Sequence, residues 1–238
     1  MNLPVIYEDA DVLVVDKPAG AVVFPEGSTT ENTLIDHLIA EHPELKSAGL
    51  APRYGVVHRL DKDTSGILLV AKNTESLIFL QKQFKNRRVE KKYTALVAGA
   101  IKEDSGVITA PIGRSPKDPR KQKVYGPEQV SPPSARDAIT EYQVLQRFAE
   151  YTLLEVTIKT GRKHQIRAHL AFIHHPVSGD KLYGFKDSPT PDGLPRQFLH
   201  ASYIKIQLPS GTIKALHSDL PEDLKQIINN LEQYDNES

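Results

Sequence analysis

A polar cluster that leads directly into an apolar run is the segment of this sequence best suited to chemistry. It reads His58-Arg59-Leu60-Asp61-Lys62-Asp63-Thr64-Ser65-Gly66, followed by Ile67-Leu68-Leu69-Val70-Ala71-Lys72. The apolar run has the length and the Ile, Leu and Val content of a short buried strand. We therefore expect Asp61 to lie on a loop that a rigid element positions, and to stay ionised between its arginine and lysine neighbours. Such a carboxylate can serve as nucleophile, base or stabiliser of positive charge, although a salt bridge with Arg59 or a turn contact would explain it equally well.

Three other kinds of site have weaker support in the sequence. The histidines do not form the His-x-x-x-His pair of a helical metal site, because His164 and His169 are five residues apart. Neither a P-loop nor a Gly-x-Gly-x-x-Gly segment is present, so a nucleotide cofactor is not indicated. Ser65 lacks the Gly-x-Ser-x-Gly surroundings of an acyl-transfer nucleophile, and a turn explains it better.

The overall composition is that of an ordinary globular protein. The chain has 238 residues, of which 25% are charged and 39% hydrophobic. It carries 30 basic and 30 acidic residues, which argues against a general nucleic-acid coat but leaves room for a local basic groove. Cysteine is absent, which excludes disulfides and thiolate metal sites. Because no signal peptide or membrane span is visible, we expect a cytoplasmic protein. We also expect a monomer.

Hydrophobic periodicity predicts the elements that position these residues. In the helix expected over residues 74–88, the buried side should hold Leu77, Ile78, Leu80 and Phe84, with Asn73 or Thr74 as the cap. The segment 102–136, rich in proline, glycine and basic residues, reads as one long irregular loop. The other predicted elements are strands at 12–15, 92–97, 139–145 and 151–158, a turn at 16–20, helices at 33–42, 164–174 and 221–233, and a hairpin over 199–216.

Positive charge is concentrated in two places. One is the far end of the helix at 74–88 and the residues after it: Lys82, Lys85, Arg87, Arg88, Lys91 and Lys92. The helix dipole accounts for about half of this cluster, and the remainder fits an anionic partner. The other is the 102–136 loop, where a mobile surface excursion and a binding arm are equally consistent with the charges. Its cations are Arg114, Lys117, Arg120, Lys121 and Lys123.

Four segments, in this order, resemble the signature of the RluA-type pseudouridine synthases. The polar cluster and apolar run at 58–72 are the second of them. The others are Asp16-Lys17-Pro18-Ala19-Gly20, then Lys91-Lys92-Tyr93-x-Ala95, and finally Gly161-Arg162-x-His164-Gln165-Ile166-Arg167-x-His169 with His175-Pro176-Val177-x-Gly179-Asp180-x-x-Tyr183-Gly184. The resemblance runs from about Val5 to Leu216, which is almost the whole chain.

The resemblance implies that the protein isomerises uridine in ribosomal or transfer RNA to pseudouridine, without a cofactor or a metal. The bond from the sugar to N1 breaks, the uracil turns, and a bond to carbon-5 forms. The implied fold is α+β: a bent, mixed, mostly antiparallel β-sheet with flanking helices and a central cleft. Many family members carry an additional N-terminal RNA-binding domain. We expect residues 1–238 to form a single catalytic domain without it, so that the domain's own loops choose the target.

The resemblance also implies roles for particular residues. Asp61 matches the catalytic aspartate, Tyr93 the tyrosine that packs on the uracil, and Arg167 the arginine that pairs with the aspartate. Arg59 is expected to fill the gap left by the displaced base, since a guanidinium stacks on bases. The remaining candidates for RNA binding are Arg162, His164, Lys82, Lys85, Arg87, Arg88, Arg114, Arg120 and Lys121.

Two alternatives to this reading belong to other functional classes. One is a non-catalytic RNA-binding or RNA-chaperone module that retains the fold, against which the joint presence of Asp61, Tyr93 and Arg167 speaks. The other is a glycosidase-like hydrolase, which would release free uracil or a cleaved sugar.

Overall fold

The computed structural model describes residues 3–25 and 31–237, with side chains described up to residue 231. These residues form two compact units. The first contains the chain up to Lys91 together with Ala201–Asp219, and the second contains Lys92–His200 and the chain from Leu220 onward. No helix among the described residues has the length and the apolar character needed to span a membrane.

The first unit is built on antiparallel strands packed against helices. The described strands and helices are β1 (Val5–Glu8), β2 (Val12–Lys17), α1 (Leu34–Glu41), a short 3-10 helix (Pro43–Ser47), β3 (Ser65–Ala71), α2 (Thr74–Lys85), β10 (Leu199–Gln207), which belongs to this unit from Ala201 onward, and β11 (Ile213–His217). Strands β1, β2 and β3 pair in that order, and β10 pairs with β11 as the predicted hairpin. The predicted buried strand after the polar cluster is confirmed, because every residue of β3 is buried.

The start of α2 agrees with the sequence prediction, but its buried face does not. Asn73 caps the helix, since its side-chain oxygen accepts a hydrogen bond from the Ser76 N–H at 2.9 Å. Leu77 and Leu80 are buried as expected, whereas Ile78 is 61% exposed, so its predicted burial was wrong. Leu77 and Leu80 lie three residues apart and therefore share one helix face. Ile78 follows Leu77 directly and is rotated by about 100° around the helix axis, away from Leu80, so it points away from that face. The helix ends at Lys85, three residues before the predicted end.

The second unit also combines strands with helices. Its described elements are β4 (Glu90–Ala98), β5 (Ser105–Thr109), β6 (Ile112–Arg114), β7 (Gln122–Val124), β8 (Ile139–Arg147), β9 (Tyr151–Ile158), α3 (Gln165–Phe172) and α4 (Glu222–Glu237). The strands are antiparallel, in the order β4, β9, β8, β5, with a separate β6–β7 pair. The core of this unit includes Leu96, Phe198 and Leu224.

The predicted irregular loop over 102–136 was wrong in part, because it contains three short strands, β5, β6 and β7. β5 pairs with β8, so the partner that makes it a strand lies at least thirty residues further along the chain, as Thr109 pairs with Ile139. A strand of three to five residues among prolines and glycines has no periodic signal of its own. The prediction of an α+β fold with mostly antiparallel strands is confirmed, while the bend and the central cleft stay predictions.

Candidate functional site

The loop that carries Asp61 is fixed at its beginning by His58. The Nε2 atom of His58 accepts a hydrogen bond from the backbone N–H of Leu69, in β3, at 3.0 Å. The imidazole also stacks on Phe84, with ring centroids 5.1 Å apart and ring planes at 18°. Burial, with a smaller contribution from the charge of Lys91, lowers the pKa of His58 to about 3. His58 is therefore a neutral ring that ties the loop to the strand.

A buried lysine fixes the same loop at Lys62, next to Asp61. Lys17 is fully buried, and its Nζ donates hydrogen bonds of 2.9 Å to the carbonyl oxygens of Pro18, Ala21 and Lys62. Removing an ammonium group from water is costly unless hydrogen bonds compensate for the lost hydration, as these do. The early Lys-Pro-x-Gly segment and the Asp61 loop are thus joined through a single side chain.

Asp61 itself is half-buried on this loop, within a tight turn. Its backbone carbonyl accepts a hydrogen bond from the Thr64 N–H at 3.1 Å, and Thr64 and Ser65 are both buried. Arg59 is exposed, and its guanidinium carbon lies 5.3 Å from the ring centroid of Phe24. A half-buried carboxylate therefore stands on a loop with fixed ends, two residues from an exposed guanidinium.

The basic tract that follows α2 contains cations in different environments. Lys82, Lys85, Arg87 and Arg88 are exposed. Arg88 lines a groove of about 330 Å³ in the first unit, together with Gln83, Glu90, Lys205, Ile206, Gln207 and Ile213. By contrast, burial lowers the pKa of Lys91 to about 8, and Lys92 forms a 2.8 Å ion pair with Glu155. The first four cations are accordingly the ones best placed to meet an anion.

Arg167, in the second unit, is a buried arginine held by a buried carboxylate. Its Nε donates to Oδ2 of Asp180 at 2.6 Å and its Nη2 donates to Oδ1 at 2.8 Å. Its guanidinium carbon lies 5.1 Å from the ring centroid of Tyr183. Burial by itself raises the pKa of Asp180, but the bonds and charge of Arg167, with the N–H groups of Leu182 and Tyr183, lower it below its usual value.

Tyr183 brings several of the predicted RNA-binding residues together. Its hydroxyl accepts a hydrogen bond from the Gln122 N–H at 2.7 Å and forms another with Nδ1 of His164 at 3.0 Å. The Nζ of Lys121 lies 5.9 Å from the centroid of the same ring. One tyrosine therefore links Arg167, the beginning of α3 and the β6–β7 hairpin.

Three other predicted site residues of the second unit, Tyr93, Arg162 and Arg114, have different surroundings. Tyr93 is buried in β4, opposite Val156 of β9. Arg162 donates from Nε to the Asp137 carbonyl at 3.1 Å. Arg114, at the end of β6, is exposed.

Arg120 is exposed but has an anionic partner on its own loop. It forms a two-pronged ion pair with Asp118, with bonds of 3.0 Å from Nε and 2.8 Å from Nη2. These bonds lower the pKa of Asp118 to about 2. Because its charge is already paired, Arg120 is a weaker candidate for binding a phosphate than Arg114.

The histidines that prompted the question of a metal site have protein partners. His169 is buried, with Nδ1 bonded to the Thr140 hydroxyl at 2.9 Å and Nε2 to the Ala110 carbonyl at 3.1 Å. His175 uses Nδ1 to bond the Ala98 carbonyl at 2.9 Å. Within the described ranges, no three His, Asp or Glu side chains cluster in a way that could hold a metal ion.

With this geometry established, comparison with known proteins decides the family. A family model described as RNA pseudouridylate synthase matches residues 11–172, which include the Asp61 loop, Tyr93 and Arg167. The chain belongs to the RNA pseudouridylate synthase family. The resemblance predicted from the four segments is thereby confirmed, and with it the enzyme class: an RNA pseudouridine synthase, which isomerises uridine in RNA.

Individual relatives agree with the family model. The chain is 41% identical over 232 residues to the Bacillus subtilis protein named uncharacterized RNA pseudouridine synthase YlyB, covering 97% of this chain and 73% of that one. It is also 41% identical over 233 residues to ribosomal large subunit pseudouridine synthase D of Nitrosomonas europaea, covering 95% of this chain. It spans 64% of that relative, which is less than two thirds of its length.

Solved structures of two human proteins resemble the whole chain. One is RNA pseudouridylate synthase domain containing 4, with a TM-score of 0.77 at 25% identity, covering 96% of this chain and 92% of that one. The other is RNA pseudouridylate synthase domain containing 1, with a TM-score of 0.75 at 27% identity, covering 97% and 95%. The pseudouridine synthase fold predicted from the sequence is thus confirmed by independent structures.

The structure also shows contacts that sequence reasoning missed. Lys17, His58, Asp180 and Tyr183 all lie in the family-like segments, but no individual role could be assigned to them from the sequence. Asp180 is 13 residues from Arg167, a separation with no regular meaning in a helix or strand, so no spacing rule could have paired them. The one signal available in the sequence was that Asp180 lies in the last family-like segment, next to Gly179.

Proposed function

We propose that this chain converts uridines of ribosomal RNA to pseudouridine, with Asp61, Tyr93 and Arg167 as its catalytic residues. The observation that carries the proposal is the match of the family model across 11–172, a range that contains all three residues. The name of the Nitrosomonas relative, ribosomal large subunit pseudouridine synthase D, favours ribosomal over transfer RNA. A monomeric state and a cytoplasmic location belong to the same proposal.

The surroundings of Asp61 support a catalytic role. A reacting group must be held close to its productive geometry, and the energy for this comes from its supporting contacts. The Leu69–His58 bond fixes the loop before Asp61, and the Lys17–Lys62 bond fixes it one residue after. The carboxylate can add to the anomeric carbon, stabilise cationic character there, or abstract a sugar proton.

Arg167 and Tyr93 complete the proposed set of catalytic residues. The guanidinium of Arg167 has five N–H donors, and Asp180 receives bonds from Nε and Nη2. The part of Arg167 in the proposal comes from its match to the arginine that pairs with the catalytic aspartate in the family's signature. Tyr93 offers a flat ring for the uracil and a hydroxyl for proton exchange.

RNA binding must offset the cost of extruding the uridine, which is about a few kcal/mol. Cations that contact phosphates supply that energy and make binding dependent on salt. Lys82, Lys85, Arg87 and Arg88 are exposed, as such contacts require. Arg59 is also exposed and is proposed to fill the space left by the flipped base.

The test is release of tritium from RNA that contains uridine labelled at carbon-5, because bonding of carbon-5 to the sugar expels its hydrogen. The wild-type chain should release tritium, and Asp61→Asn should reduce the release below detection while keeping a wild-type circular dichroism spectrum. Asp63→Asn is the matched control: it removes an equal charge from the same loop and should retain turnover within several-fold.

Each alternative predicts a different result in this assay. Retained turnover in Asp61→Asn would remove Asp61 from its role. RNA binding by the wild type without tritium release from any RNA would favour the non-catalytic RNA-binding module. Free uracil in the reaction mixture would identify a hydrolase.

A further inference from the structure

Asp180 is a buried carboxylate, and each of its two oxygens accepts a hydrogen bond. Its side chain has no exposed surface. Oδ2 accepts from Nε of Arg167, while Oδ1 accepts from Nη2 of Arg167 and from the N–H groups of Leu182 at 2.9 Å and Tyr183 at 3.0 Å. The two backbone bonds fix the carboxylate, and the fixed carboxylate then sets the plane of the guanidinium.

A contribution to stability does not by itself explain the buried Arg167–Asp180 ion pair. Removing both charges from water is costly, and buried ion pairs are often no more stabilising than apolar residues of the same volume. What the pair supplies is orientation, because a two-pronged bond fixes the position and the plane of an arginine. The Tyr183 ring, 5.1 Å from the guanidinium carbon, adds a second restraint on that group.

We propose that Asp180 and Tyr183 are positioning residues that act through Arg167, an inference that rests on the catalytic role proposed above for Arg167. Asp180 sets the direction of the guanidinium N–H groups, and the ring of Tyr183 restrains its face. The Tyr183 hydroxyl has a separate task. It anchors the β6–β7 hairpin at Gln122 and the start of α3 at His164.

This division of tasks predicts different kinetic defects for two substitutions. Asp180→Asn keeps the shape of the side chain but removes the charge that orients Arg167, so it should lower kcat. Tyr183→Phe keeps the ring but removes the hydroxyl that holds the hairpin carrying Arg114 and Lys121. It should therefore raise KM for RNA, and it should lower kcat less than Asp180→Asn does, because the ring and Asp180 still hold Arg167.

The second unit contains a matched control pair. Arg196 donates from Nε to Oδ2 of Asp223 at 2.8 Å and from Nη2 to Oδ1 at 3.1 Å. The Arg196 side chain is 7% exposed and that of Asp223 is 38% exposed, whereas Asp180 is fully buried. Asp223→Asn therefore removes a carboxylate from an arginine pair with the same bonding pattern that has no proposed part in the reaction. Because Asp223 is the more exposed carboxylate, the rates of both variants are compared only after correction for the folded fraction.

The experiment compares kcat and KM for tritium release, corrected for the folded fraction, in the wild type, Asp180→Asn, Asp223→Asn and Tyr183→Phe. Misplacing a reacting group by about 1 Å can cost about 100-fold in rate, so Asp180→Asn should lose between about 10- and 100-fold in kcat. Asp223→Asn should keep its kcat. In an Arg167→Lys background, Asp180→Asn should cost little more, because residues that act through one another are not additive.

A readout independent of activity separates this inference from the proposed function. The Nε–H proton of Arg167 should give a sharp, slowly exchanging NMR signal in the wild type and in Asp223→Asn, and should be lost in Asp180→Asn. If the wild type releases no tritium, the proposed function fails, and the NMR signal still tests the positioning. A folded Asp180→Asn with unchanged kcat and an intact Arg167 signal overturns the inference, as does an equal loss of kcat in Asp223→Asn.

Discussion

The Nε2 atom of His58 accepts a hydrogen bond from the backbone N–H of Leu69 at 3.0 Å. The bond joins the residue three positions before Asp61 to the middle of a strand whose residues are all buried. It exists only while Nε2 carries no proton, because a protonated imidazole donates at both nitrogens. The attachment of the Asp61 loop is therefore linked to the charge of one histidine.

The first prediction concerns the pH dependence of stability. The pKa of His58 in the folded protein is about 3, whereas its ordinary value is 6.5, so between these values the unfolded chain binds the additional proton. The contribution of neutral His58 to stability is complete above pH 6.5 and is lost as the pH falls toward 3. His58→Gln keeps an acceptor for Leu69 but cannot titrate, so its stability should fall less over this range.

Urea unfolding at several pH values, followed by circular dichroism, measures this effect. His217→Gln, at an exposed histidine of β11, is the matched control and should follow the wild-type curve. If His58→Gln shows the same acid dependence as the wild type, then other groups account for the acid sensitivity.

The second prediction concerns the exposed cations at and after the end of α2. Replacing Lys82, Lys85, Arg87 and Arg88 by glutamine should weaken RNA binding and flatten its salt dependence. Each phosphate contact that is lost should reduce the slope of log K against log salt concentration by about 0.7 to 0.9. Fluorescence anisotropy with ribosomal RNA fragments at several salt concentrations measures the slope.

The control for this prediction must change the net charge equally. Glutamine at four exposed lysines from separate segments, Lys46, Lys102, Lys186 and Lys225, also lowers the formal charge by four. This variant should keep a slope near that of the wild type, since general charge steering is weaker than direct contact. Equal slopes for the two variants would place the RNA surface elsewhere.

The third prediction concerns the glycine at the end of the polar cluster. Gly66 has φ of +111°, and a Cβ added there would lie 2.3 Å from the backbone oxygen of Ala201. Gly66→Ala should therefore combine backbone strain with a clash against atoms that cannot rotate away, and destabilise the protein by about 3 kcal/mol or more.

Gly161→Ala is the comparison, because an added Cβ there meets no atom within 4 Å. It should change the free energy of unfolding by less than about 1 kcal/mol. Urea unfolding of both variants makes the measurement. If Gly66→Ala is as stable as Gly161→Ala, the close approach of Ala201 does not constrain this position.

Local features were predictable from the sequence because the groups that form them lie a few residues apart. The apolar run of β3, the Asn73 cap of α2 and the hairpin around Gly211 each depend on neighbours along the chain. The order of the family-like segments was equally visible, and it led to the family and to Asp61, Tyr93 and Arg167 as candidates. None of these inferences required knowledge of distant contacts.

Tertiary structure decided everything that depends on partners far apart in sequence. Lys17 binds a carbonyl 45 residues away, and Arg167 pairs with Asp180 across 13 residues, separations that no helical or strand period encodes. The exposure of Ile78 and the pairing of β5 with β8 likewise depend on which surfaces meet after folding. The sequence by itself thus determined which residues are candidates for the reaction. Folding determined which residues contact and position them. The physical reason is that periodic patterns report local backbone structure, whereas contacts between residues far apart in sequence form only when the chain folds back on itself.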